Sequence, residues 1–357
     1  MKKILVVDDS ALMRRVLCDI INSDERFTVV DEAMNGEEAL SLLLTKQYDA
    51  VVLDVNMPRM DGIQLLKELK QRNVKAKVLM ASTDTSDGAQ VTMDALELGA
   101  LDFIQKPGWS YRCKDEAFIS HFLGVLAAVC EAKVSKAVTD TIQQNIVETV
   151  HRLEALVEKK SDVIKGKRIV ALASSTGGPK ALQQVIPYLP KNLNAAVVVV
   201  QHMPVGFTAS LAARLDQVSE IRVTEAKEGE VLQNGCVYIS MGGQHLNLVR
   251  RGKESVVHYS DEPTREGVKP CANYMYESLM DSDYEEIICV VLTGMGADGT
   301  EGITHLKEKK KVYVITQDRK SCVVYGMPKS VDQANLSDAS VEISKIAQEI
   351  ILHTGVK

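Results

Sequence analysis

Residues 169–179, IVALASSTGGP, open on six apolar or small positions and close on serine, threonine and two glycines before a proline. A run that is apolar at nearly every position reads as a strand buried on both faces, as in the middle of a parallel sheet. Two further runs share the pattern, AAVVVVQH at 195–202 and IICVVLTGMGAD at 287–298. In open parallel sheets chemistry gathers just beyond the carboxyl ends of the strands. The three runs lead there to Ser175, His202 and Asp298, which arrive from separate parts of the chain. These are the residue types of a triad in which histidine takes the serine proton and aspartate orients and stabilises the imidazolium. Each alone has a plainer reading: a capping serine, a satisfied core histidine, a turn aspartate. Three of them at three strand ends favour the triad.

The chain order Ser, His, Asp differs from the Ser, Asp, His order of α/β-hydrolases, and no GxSxG occurs. Behind Ser175, the residues Thr176, Gly177 and Gly178 precede PKALQQVIPYL, a predicted helix with Pro179 in its first turn. The glycines permit a tight turn that exposes backbone N–H groups. Such groups serve phosphate and oxyanion equally well, so the motif alone does not choose. No GK[ST] follows, which removes the P-loop reading.

At 357 residues the chain is long enough for two domains. Its 45% hydrophobic and 25% charged content is that of an ordinary globular protein. A net charge of −6 speaks against a nucleic-acid-binding half. The seven cysteines include no CxxC pair and are odd in number, which fits reduced thiols in the cytoplasm better than disulfides or a zinc site. The opening MKKILVVDDS meets two aspartates at once, unlike a signal peptide. No apolar run is long enough to span a bilayer, so no membrane insertion is expected.

Upstream, residues 1–107 alternate strand and helix, the pattern of a doubly wound parallel sheet. Asp8 and Asp9 end the first predicted strand and Asp54 the third. Crowded carboxylates call for a hard cation such as Mg²⁺. Lys106 brings a compact positive charge to the same edge, and Ser82 a hydroxyl. A carboxylate beside a divalent cation, a lysine and a hydroxyl is equipped to accept a phosphoryl group. The ordered set Asp8-Asp9, LDVNMPRMDG (53–62), MAS (80–82) and Lys106-Pro107 resembles the response-regulator receiver family across residues 1–107. That resemblance implies a flavodoxin-like fold with Asp54 as phospho-acceptor. It implies that Asp8, Asp9, Asp54 and the backbone carbonyl of Asn56 hold Mg²⁺, that Ser82 and Lys106 sense the phosphate, and that Phe103 is the switch aromatic.

From about Glu116 to Lys165 the pattern becomes helical. Val134, Val138, Ile142, Ile146, Val150, Leu153 and Val157 form one apolar stripe, read as a linker helix. The expected division is therefore a receiver at 1–115, a helical linker at 116–165 and a catalytic domain at 166–357.

ASSTGGP (173–179), QHMPVGFT (201–208), LTGMGADG (292–299) and SCVVYGMP (321–328), in that order behind a receiver, resemble the chemotaxis protein-glutamate methylesterase (CheB-type) family. The resemblance implies a Rossmann-like catalytic domain with Ser175 as nucleophile, His202 and Asp298 completing the triad, and Thr176 and Met295 flanking it, Met295 through its backbone N–H. It implies hydrolysis of glutamate methyl esters on chemoreceptors with release of methanol, and deamidation of receptor glutamines. The esterase needs no cofactor of its own. A chemotaxis histidine kinase supplies the phosphate, and the unphosphorylated receiver covers the triad face. The chain departs from the family at Ala173-Ser174, usually Gly-Ala, and at KPCAN (269–273), which puts Cys271 and Asn273 where serine and aspartate are common. The second departure is expected to alter the rim of the site or its contact with the receiver, with the triad intact. Cys322 reads as a small buried hydrophobe. A non-catalytic adaptor and a nucleotide-binding domain are the competing classes, disfavoured by the intact triad set and by the missing phosphate-loop lysine.

Overall fold

Two parallel sheets carry the chain. In the computed structural model the described residues are 1–82, 86–106, 116–132 and 166–356. They fall into two units, Met1–Val134 and Ser135–Lys357. The stripe from Val134 to Val157 lies outside the described residues.

The first unit has strands β1 (Lys2–Val7), β2 (Phe27–Ala33), β3 (Ala50–Asp54), β4 (Val78–Ser82) and β5 (Asp102–Gln105). They form one sheet in the order β2-β1-β3-β4-β5, with every pairing parallel. Helices α1 (Ala11–Asn22), α2 (Gly36–Thr45), α3 (Gly62–Gln71), α4 (Ser86–Leu98) and α5 (Glu116–Glu131) alternate with them. Local chemistry sets several helix starts. Ser10 accepts a hydrogen bond from the Met13 N–H at the head of α1, and Asp61 and Gln64 form a reciprocal capping box on α3. The reversal of strand order places a crevice between β1 and β3, where Asp8, Asp9 and Asp54 emerge.

Helix α5 revises the expected division. The sequence pattern assigns Glu116 onward to the linker, but Glu116–Glu131 belongs to the first unit and packs against α1, β3, β4 and β5. Its Phe122, Leu123, Val125, Leu126 and Val129 are buried. A parallel sheet needs both faces covered, and α5 supplies part of that cover.

The second unit is built on seven strands: β6 (Arg168–Ser174), β7 (Ala196–Gln201), β8 (Arg222–Glu225), β9 (Cys236–Ile239), β12 (Glu286–Val291), β13 (Lys311–Gln317) and β14 (Ala339–Val341). The order is β14-β13-β12-β6-β7-β9-β8, again wholly parallel. β10 (His245–Arg251) and β11 (Glu254–Ser260) form a separate antiparallel hairpin. The three runs singled out in the sequence are the neighbouring central strands β12, β6 and β7, and nearly all their side chains are buried. Each fully buried valine, isoleucine or leucine contributes roughly 1.5–3 kcal/mol. Tyr276 is fully buried in this core and donates its hydroxyl to the Ala171 and Val290 carbonyls at 3.4 and 3.2 Å.

A triad-like constellation and an acidic cluster

Ser174 on β6 pairs in register with Gln201 on β7, so Ser175 and His202 are the next residues on two adjacent strands. The His202 N–H donates to the Ser174 carbonyl at 3.1 Å, which fixes this junction. The adjacent serines have opposite fates. Ser174 is fully buried and donates its hydroxyl to Gln201 Oε1 at 2.7 Å, whereas Ser175 lies one residue beyond the strand and is half-buried. The chain then turns at Gly177, in the left-handed region at φ 74°, into the six-residue helix Gly178–Gln183. Only glycine adopts that backbone without strain.

Asp298 reaches the site differently from the sequence reading. β12 stops at Val291, where its register with Ala173 ends, and a loop carries the chain on to Asp298. Two contacts hold the loop to the serine turn. The Ser175 N–H donates to the Thr293 carbonyl at 3.0 Å, and the Thr293 hydroxyl donates to the Thr176 carbonyl at 3.0 Å. Gly294 passes so close that a Cβ there would sit 2.8 Å from Ser175 Cβ. Among the described residues, no acceptor stands at the backbone N–H of Thr176, Gly177 or Met295.

His202 Nε2 lies 2.7 Å from Asp298 Oδ2, with the two side chains 9% and 3% exposed. That leaves Nδ1 as the ring nitrogen not engaged by the aspartate. Asp298 Oδ2 also accepts from the Ala272 N–H at 2.6 Å. Oδ1 accepts from the Asn273 N–H at 2.9 Å and from the Cys271 thiol at 3.0 Å. Burial alone would push this carboxyl up. The His202 hydrogen bond and charge, the Ala272 N–H and the Cys271 thiol outweigh it and hold the carboxyl below the usual aspartate range.

The departure at KPCAN is therefore against the triad aspartate, not at the rim. Cys271 is fully buried, and burial together with the Asp298 charge keeps its thiol protonated. The Asn273 side chain is also fully buried, and its Oδ1 accepts from the Gly299 and Gly302 N–H groups at 3.0 and 2.7 Å. It staples the Asp298 loop to the helix that follows. Gln201, in sequence only the end of an apolar run, is the other residue that holds the site together. Its Nε2 donates to the carbonyls of Ser175 and His202 at 3.0 and 3.2 Å. One buried amide thus ties the two neighbouring positions together. Cys322 is buried with its thiol pushed up by desolvation, as a small hydrophobe should be.

In the first unit, Asp8, Asp9 and Asp54 bring one carboxylate oxygen each to within 4.8 Å of one another. Asp8 and Asp54 are buried and Asp9 is exposed. Lys106 Nζ stands 2.7 Å from Asp8 Oδ2 and 2.6 Å from Asp54 Oδ1. Burial raises the Asp54 carboxyl. The Lys106 charge and hydrogen bond pull it back only in part, and Asp8 adds to the rise. Three converging hard oxygens with an open side at Asp9 match the donor set of a magnesium ion. Ser82 ends the adjacent strand β4 and is buried, Asn56 is exposed two residues past Asp54, and Phe103 is buried on β5.

Comparison with known proteins places both units. The family described as CheB methylesterase matches residues 170–350, and the response regulator receiver domain matches residues 4–113. A protein-glutamate methylesterase/protein-glutamine glutaminase of Bacillus subtilis is 41% identical over 98% of each chain. One from Pyrococcus abyssi is 38% identical over 98% of this chain and 92% of its own. The crystal structure of the Thermotoga maritima CheB methylesterase catalytic domain aligns with a TM-score of 0.51 at 42% identity, covering 53% of this chain and 99% of that one. With the matched motifs framing Ser175, His202 and Asp298 behind a receiver-type acidic cluster, the chain belongs to the CheB protein-glutamate methylesterase/glutaminase family.

Proposed function

We propose that the chain hydrolyses methyl esters of glutamate side chains on chemoreceptors, through a serine ester formed at Ser175, under control of phosphorylation at Asp54. The observation that carries the reading is the buried 2.7 Å His202–Asp298 pair beside Ser175 on the neighbouring strand end. The Ser175 hydroxyl attacks the ester carbonyl and passes its proton to His202 Nδ1, while Asp298 holds Nε2 and stabilises the imidazolium. Among the described residues nothing accepts from the backbone N–H groups of Thr176 and Met295, which are the donors for the developing oxyanion. His202 returns the proton to the departing methoxide, which leaves as methanol. A water molecule then gives its proton to the same nitrogen and attacks the acyl-serine; His202 passes that proton to the Ser175 oxygen as it leaves, and the freed glutamate acid ionises to its carboxylate. A glutamine side chain follows the same route with ammonia leaving. No step needs a cofactor.

Asp54 is the phospho-acceptor, with a chemotaxis histidine kinase as donor. Asp8, Asp9, Asp54 and the Asn56 carbonyl would hold Mg²⁺, which when bound would neutralise charge on the phosphoryl oxygens. Lys106, now spanning Asp8 and Asp54, and the Ser82 hydroxyl would meet those oxygens, with Phe103 as the responding aromatic. The receiver runs from residue 1 through α5 to 131, residues between there and 166 act as connector, and 166–357 form the catalytic part. No described helix is long and apolar enough to cross a membrane, in keeping with an enzyme that meets receptor tails in the cytoplasm. Methanol release from methylated receptor membranes is the test: Ser175→Ala should abolish it, and acetyl phosphate with Mg²⁺ should raise it in the unmodified chain.

A further inference from the structure

We propose that Cys271 is a positioning residue of the esterase: its thiol completes the hydrogen bonding of the Asp298 carboxylate and so sets how firmly that carboxylate holds the imidazolium of His202. The inference rests on the triad reading of Ser175, His202 and Asp298.

A carboxylate offers about four lone-pair sites, and all four are used at Asp298. The His202 ring and the Ala272 N–H take Oδ2, and the Asn273 N–H and the Cys271 thiol take Oδ1. Two of those donors are backbone and cannot be tuned by sequence. The third is the catalytic histidine itself. Cys271 is the one remaining side chain, and it is a weak donor by nature. It is fully buried and Asp298 is 2% exposed, so bulk water does not compete for that oxygen in the native chain. Among the described residues, the titratable groups facing Asp298 are His202 after β7, Cys271, Tyr276 on helix Ala272–Ser278 and His245 on β10. Cys271 alone among them donates to the carboxylate without being the base.

The consequence has a definite sign. A stronger donor draws charge away from the side of Asp298 that faces the ring, so the protonated, unreactive imidazolium survives only at lower pH. With no donor, more charge faces the ring and the imidazolium persists to higher pH. The acid limb of kcat/KM for methanol release should therefore lie lowest in Cys271→Ser, higher in the native chain and highest in Cys271→Ala. A buried hydrogen bond to a charged group corresponds to about one to two pH units at that group, and with about half of it passed on to the ring the extremes lie about half to one pH unit apart. Serine is nearly isosteric with cysteine, so Cys271→Ser keeps the test open if the alanine variant folds poorly.

The experiment is the rate profile of the full chain between about pH 5 and 9 for the native protein and both variants, with Ser175→Ala beside them. Limbs displaced in the stated order support the inference. Coincident limbs overturn it even if the plateau falls, because lost packing alone lowers the plateau without moving the limb. If Ser175→Ala still releases methanol, the triad reading fails and the inference with it. An inactive Ser175→Ala with coincident limbs refutes the role of Cys271 alone.

Discussion

Gln201→Met is the most searching perturbation of the serine turn, because methionine keeps the volume and removes every polar contact. Gln201 is 1% exposed and makes three side-chain hydrogen bonds. The buried Ser174 hydroxyl would lose its acceptor, which costs about 1–3 kcal/mol for an orphaned group. The Ser175 carbonyl keeps its 2.7 Å bond from the Gly178 N–H. Its loss, like that at the His202 carbonyl, is nearer the net value of about 0.5–1.5 kcal/mol. The sum is about 2–6 kcal/mol of stability in the catalytic unit. If one to two tenfold steps of that reach the transition state through a displaced serine, kcat/KM falls about 10- to 100-fold. Urea unfolding and methanol release, both on the full chain, read the two effects. The double variant Ser174→Ala/Gln201→Met removes the orphaned hydroxyl and should recover about 1 kcal/mol or more over Gln201→Met. Stability within about 0.5 kcal/mol of the native chain, or strictly additive single effects, would refute the reasoning.

Three further outcomes are expected. Asp54→Asn should lose stimulation by acetyl phosphate with Mg²⁺, measured as the ratio of methanol-release rates with and without the donor; an undiminished ratio contradicts the regulatory scheme. Asn273→Ala should orphan the buried Gly299 and Gly302 N–H groups and lower the urea midpoint by the equivalent of about 2–5 kcal/mol. His245 is buried, and burial first, then the Lys269 charge, holds its imidazole below the ordinary histidine range. The unfolded chain thus takes up a proton that the fold refuses, so this contribution is fully present above about pH 6.5 and fades as pH falls below it. Melting temperature should drop between about pH 7.5 and 5.5, and less so in His245→Gln; an unchanged drop in the variant argues against His245 as a source.

Strands whose residues are apolar on both faces leave a continuous signature, so β6, β7 and β12 were legible from sequence, and with them the placing of Ser175 and His202. The acidic cluster was legible for the same reason, since Asp8 and Asp54 sit at strand termini that are sharply marked. Asp298 was found as a residue but not as a geometry. The apolar run gives no stop signal at Val291, because β12 ends where its pairing with β6 stops, at Ala173. The roles of Gln201 and Cys271 were not legible at all. Their partners lie 26 and 27 residues away in sequence, and nothing local distinguishes them from the end of a strand or a small buried hydrophobe. The sequence places α5 with the following helical stretch because a helical pattern does not tell which sheet the helix covers.

The most direct measurement is methanol release from methylated receptor membranes by the native chain, Ser174→Ala and Ser175→Ala. Ser174 is buried in the Gln201 bond and Ser175 is half-exposed beside His202, so the two serines give opposite expectations. The expected result is release by the native chain and by Ser174→Ala, and none by Ser175→Ala. Continued release by Ser175→Ala would contradict a mechanism through the serine ester.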